Sequence, residues 1–137
     1  MVPVSACARN LGVSFQSDMS MEQHVNQLLK SCFFQIRNIS RIRYLLDTTT
    51  IKLMIQTLVT SRLDYSNALC FKISATLMSK LQKIQNAAAR LISRTKRSDH
   101  ISPVLQSLHW LPIKQRISFK ILHLTNNCLY ENNSCSY

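Results

Sequence analysis

Apolar residues recur along most of this chain at spacings of three and four, the period of a helix with one buried face. Val25, Leu28, Leu29, Cys32, Phe33, Ile36 and Ile39 form one such stripe, and Ser20 with Gln23 three residues on gives it a capping box, so a helix is expected to about Ile42. A second stripe, Ile51, Met54, Ile55, Leu58 and Val59, continues toward Leu63 and has Asp47 or Thr48 as its cap. Ser74 caps a third, with Leu77, Leu81, Ile84, Ala88 and Leu91 inward, to about Thr95. Ser102 as N-cap and Pro103 as first helical residue predict a short helix ending near His109. Pro112 then opens a last helix with Ile113, Ile117, Ile121 and Leu124 on its inner face.

One glycine, Gly12, and three prolines are the only strong breakers, and the segment VPVSACARNLGVSF around Gly12 alternates in the manner of one or two short strands. The expected fold is therefore mainly all-α, a bundle of four or five helices behind a short N-terminal strand segment. Its expected divisions are a strand segment over residues 1–18, a helical domain over 19–130 and a frayed polar tail over 131–137.

Charge changes this picture most. Lys and Arg number 17 against 6 Asp and Glu, a formal charge of +11, which points to a polyanionic partner, nucleic acid before an anionic membrane surface. At about 100° per residue, Lys80, Lys83, Arg90, Arg94 and Arg97 fall within one arc of the third helix, roughly a third of a turn from its apolar stripe. Such a ridge can follow phosphates, and Arg90 and Arg94 can each offer a guanidinium fork to phosphate oxygens. The competing reading is a solvated helix face. Arg37, Arg41 and Arg43, and Lys114, Arg116 and Lys120, add positive charge whose convergence is not legible in sequence. With few aromatics, base stacking of the single-strand-binding kind is poorly supported.

Other chemistry is sparse. Asp18, Asp47, Asp64 and Asp99 are widely spaced, so no carboxylate pair is available for two-metal nucleotide transfer. His100, His109, His123 and Cys128 match no zinc spacing, and the five cysteines form no C-x-x-C pair, so neither metal nor cofactor is expected. The cysteines fit a reducing, intracellular compartment. No apolar run reaches signal-peptide or membrane-spanning length. In SRLDY, Arg62 and Asp64 cannot pair along a helix, and Asp64 or Ser66 is expected to hold backbone donors at a helix end, with Arg62 on a phosphate as the functional alternative. LHWLP is expected to form a tight corner between helices, with Trp110 anchored in the core.

Taken in order, ARNLGVSFQSDMSMEQHV, RNISRIRYLL, SRLDYSNALC and IQNAAARLISRTKRSDHISPVLQSLHWLPIKQRISFKILHL resemble the region after the catalytic palm in reverse transcriptases of non-LTR (LINE-type) retrotransposons, over about Arg9 to Leu124. The resemblance implies that the LGV segment closes a palm and that the following helices form a thumb gripping an RNA, DNA or hybrid template-primer through its phosphates. The missing palm or another protein would be a further partner. The family's paired polymerase aspartates have no counterpart here, which implies a non-catalytic fragment. An inert or protein-interaction fragment of transposon origin is the alternative. Sequences of this type also go under the name of the N-terminal domain of the eighth AlkB homologue, which would imply repair or methylation, yet no His-x-Asp or His-x-Glu pair and no glycine-rich nucleotide turn is present.

Overall fold

Two short strands, β1 (Cys7–Asn10) and β2 (Val13–Gln16), pair antiparallel with Cys7 opposite Gln16 and Asn10 opposite Val13. Among the described residues six α-helices follow: α1 (Glu22–Ile42), α2 (Thr48–Ile55), α3 (Ser61–Tyr65), α4 (Ala75–Ser93), α5 (Ser102–Ser107) and α6 (Ile113–Ser134). The computed structural model describes residues 7–10, 13–16, 21–65 and 73–134. The chain is thus the mainly helical bundle its periodicity predicts, with the strand segment in front.

Helix ends follow local chemistry. The expected cap Ser20 lies outside the described residues; α1 starts at Glu22 with Met21 in the cap position and no side-chain cap bond. At α2 the Asp47 carboxylate accepts from the amides of Thr49 (2.9 Å) and Thr50 (3.1 Å) and from the Thr50 hydroxyl (2.5 Å), as N-capping requires. Those bonds favour the charged form, and the Thr50 hydroxyl first among them holds the Asp47 carboxyl below its ordinary range. Ser74 caps α4 through the Leu77 amide at 3.4 Å. At α5 the cap moves by one residue: Ile101 takes the N-cap position and Ser102 is already helical.

Between α2 and α3 the helix continues through one π turn, Gln56–Thr60, which makes 48–65 a single rod. Ile51, Ile55, Val59 and Leu63 are all buried on it at strict four-residue spacing. Four α-helical residues overshoot a full turn by about 40°, so that spacing would wind around a regular helix; the wider turn takes the drift back and keeps all four on one face.

The core joins these residues to Val25, Cys32 and Ile39 of α1, to Leu77, Leu81, Ile84, Ala88, Leu91 and Ile92 of α4, and to Ile113 and Ile117 of α6. Helix α4 lies at the centre. Its Lys80 reaches Asn26 near the start of α1, while Arg43 just past the end of α1 reaches Ile92 near the end of α4, so the two helices run parallel.

Three inward assignments are corrected, two from the periodicity and one from the LHWLP corner. Phe33 sits at the edge of the core with 37% of its surface exposed, and Leu124 is 46% exposed. Trp110 is half-buried against the core. Helix α6 also runs on to Ser134, through residues expected to fray, and from Leu122 to Tyr130 every side chain is exposed. Helix continuity there outlasts tertiary packing, because the segment has no breaker and no facing neighbour among the described residues.

The α5–α6 corner is built on LHWLP. His109 has φ of 55°, and the amides of His109 and Trp110 donate to Gln106 O (3.0 Å) and Leu105 O (2.8 Å), the paired bonds of a Schellman helix end. Gln85, 2% exposed on α4, donates to Leu111 O at 2.8 Å, and Gln82 accepts from the Ile113 amide at 2.9 Å. Gln82 Nε2 in turn donates to Gln85 Oε1 (2.9 Å) and Asn86 Oδ1 (2.8 Å).

Replacing Gln85 by Leu keeps the volume but removes the part-buried hydrogen bond to Leu111 O and the acceptor for Gln82 Nε2, and is expected to cost about 1–3 kcal/mol in urea unfolding followed by far-UV circular dichroism. The lowered Asp47 carboxyl contributes stability that is present above the unfolded-state value of about 3.9 and is lost as pH falls through the folded-state value. An Asp47→Asn chain is therefore expected to show a flatter loss of stability across that acid range than the parent.

Candidate nucleic-acid interface

Of the five predicted ridge residues, three lie on α4 and two beyond it. Helix α4 ends at Ser93, where the Ser93 hydroxyl turns back to Ala89 O (3.0 Å) and Arg94 adopts the left-handed conformation with φ of 59°. The ridge is therefore not one continuous helix face, as the periodicity had placed it. Arg94 stands exposed at the helix end, and Arg97 lies in the turn beyond.

The turn folds back onto the helix through Arg90. Its Nε donates to Lys96 O at 3.4 Å and its Nη2 to Asp99 O at 3.2 Å, while Asp99 accepts from the Lys96 amide at 3.2 Å. One edge of the Arg90 fork is thus engaged in holding the turn. This brings Arg97 beside Lys83 and Arg90, and the three line a surface groove of about 550 Å³ together with Phe33, Asn86, Ala87 and Thr95. Lys80 stands apart as a tie to α1, donating to Asn26 Oδ1 at 3.3 Å.

The structure settles which of the other cations join this face. Arg43 packs its Nη2 toward Ile92 O at 3.5 Å, and its buried Nε has no partner among the described residues. Burial, with the like charge of Arg94 second, pulls the Arg43 guanidinium below its ordinary range. Lys30, Arg37 and Arg41 are exposed on α1 at helical spacings that put them on the same side as Phe33. Arg116 and Lys120 belong elsewhere: Arg116 Nη1 lies 3.0 Å from both Asp64 carboxylate oxygens, and Lys120 Nζ donates to Asp64 O at 3.0 Å. Asp64 therefore clamps α3 to α6 through its side chain, a tertiary role that the local pattern did not indicate; Ser66 lies outside the described residues.

No described carboxylate lines the groove. Asp47 caps α2, Asp64 holds Arg116, and Asp99 accepts from the Lys96 amide and the Ser98 hydroxyl. Glu22 stands exposed in the first turn of α1, three turns before Phe33. Like charges gathered along one groove raise the local potential, with Asp99 in the adjoining turn as the carboxylate next to them in sequence.

Phe33, Asn86 and Arg43 are the residues of this face that the ridge pattern missed. The only sequence cue for Phe33 was its place at the margin of the α1 stripe; the other two depend on which helices meet. The remaining candidates fall outside the groove. Arg62 donates to Ser31 Oγ beside a second groove lined by His24, Gln27 and Tyr65, where burial lowers the His24 imidazole. Burial pushes the Cys32 thiol up to about 11, the behaviour of a core residue. His123 stacks on Phe119 with ring centres 6.2 Å apart, and Cys128 is exposed. Among the described residues no helix is long and apolar enough to cross a membrane.

Replacing Arg94 by Gly removes the left-handed strain and one cation together, so stability is expected to rise by about 1 kcal/mol in urea unfolding while affinity for a nucleic-acid duplex falls. Comparison of the chain with protein-family models, with curated proteins and with solved structures finds no match in any of the three.

Proposed function

We propose that this chain is a non-catalytic binder of nucleic-acid backbones, gripping phosphates along the α1–α4 face without reading sequence. The observation that carries this reading is the collection of Lys83, Arg90 and Arg97 in one groove, continued by Arg94 and Arg43, with no described carboxylate among them. Binding would be driven by counterion release as these cations approach phosphates. The net charge of +11 supplies long-range attraction in the same direction. The resemblance to a LINE-type reverse-transcriptase thumb agrees with this reading, since a thumb holds a template-primer by its backbone.

A protein partner is a second reading, favoured by the distal part of α6, where Phe119, Leu122, Leu129 and Tyr130 are all exposed on one side of the helix. On this reading a palm or another protein would cover that surface while α1 and α4 face the nucleic acid.

Fluorescence anisotropy of a labelled RNA/DNA hybrid across a salt series tests the primary reading. Log affinity is expected to fall linearly with log salt, and a Lys83→Ala, Arg94→Ala, Arg97→Ala chain is expected to show a slope shallower by about one for each phosphate contact removed. Equal slopes and affinities in both proteins, with helix content unchanged, would make the face a solvated one.

A further inference from the structure

The groove between α1 and α4 holds more than cations. Phe33 of α1, 37% exposed, lines it together with Ala87 of α4, whose short side chain takes up little of the space. Lys83 and Arg90 stand about 10 Å apart along α4, at about 1.5 Å per residue, so positive charge flanks the aromatic ring along the groove. Asn86 also lines it, and because its Oδ1 accepts from Gln82 Nε2 at 2.8 Å, the amide is oriented with its donor end available to a ligand. At about 550 Å³ the groove lies within the ordinary size range of small-ligand sites.

An aromatic face, flanking cations and an oriented amide are the groups that recognise an unpaired nucleotide: a ring for the base, cations for the phosphate, and a donor for a base or sugar oxygen. We propose that the groove takes one splayed-out nucleotide of a single strand, its base against Phe33 and its phosphate between Lys83, Arg90 and Arg97. This rests on the nucleic-acid reading above and deepens it, because a pure phosphate-gripping face has no use for the ring. A nucleotide paired within a duplex has its base faces covered by neighbours, so the site distinguishes single from double strands.

The test compares a labelled oligoadenylate single strand with a blunt mixed-sequence DNA duplex, using the parent chain, Phe33→Leu, which preserves apolar bulk, and Phe33→Trp in a Trp110→Phe background. Loss of at least about fivefold in single-strand affinity by Phe33→Leu, the lower end of what one stacked base contributes, with duplex affinity unchanged, is the expected result. Quenching of the introduced indole by oligoadenylate supports it independently. Undiminished single-strand binding by Phe33→Leu, while Lys83→Ala with Arg97→Ala weakens both probes, overturns the stacking site and leaves backbone binding intact. Equal loss on both probes likewise overturns it, and failure of the parent chain to bind either probe overturns both readings.

Discussion

A primary amide can be buried on the inner face of α4 only if its polar atoms find partners there, and Gln85 meets that condition by joining two parts of the fold. Its nitrogen donates to Leu111 O and its oxygen accepts from Gln82, which also takes the Ile113 amide at the start of α6. An unpaired amide in that position would cost more than the burial of a Leu gains, so the corner and the central helix hold each other in one register. The same network reaches Asn86 and so fixes one wall of the α1–α4 groove.

From that register the electrostatics follow. With α4 set against α6 on one side, its opposite flank is left to α1, and the parallel course of the two helices lines up basic residues that lie far apart in sequence. Asp64, the carboxylate placed to neutralise a helix cation, is turned toward α6 and holds Arg116. Charge is thus sorted: Arg116 is paired at the α3–α6 junction, while the α1–α4 groove is lined by cations and by no described carboxylate.

The helix end at Arg94 shows a tension between stability and charge. A left-handed residue is most easily a glycine, yet an arginine stands there, with Arg43 close enough for its like charge to be felt. Both features oppose folding.

Sequence alone determined the helices and most of their inward faces, because the three-and-four spacing of Ile, Leu and Val and the caps at Asp47 and Ser74 act over a few residues. It also determined that the chain is strongly basic. It misplaced Phe33 and Leu124 because periodicity says which side of a helix is apolar and not how far a neighbour reaches over it. It drew the ridge as one helix face because nothing local marks Arg94 as left-handed, and the turn that returns Arg97 to Lys83 depends on Arg90 finding carbonyls several residues ahead. Tertiary structure alone decided which cations share a surface, that Asp64 serves α6, and that an aromatic ring stands among the groove's cations. The Asp64 and Phe33 placements are contacts between segments distant in the chain, and the return of Arg97 to Lys83 rests on the Arg90 bonds to the turn; no local pattern encodes either.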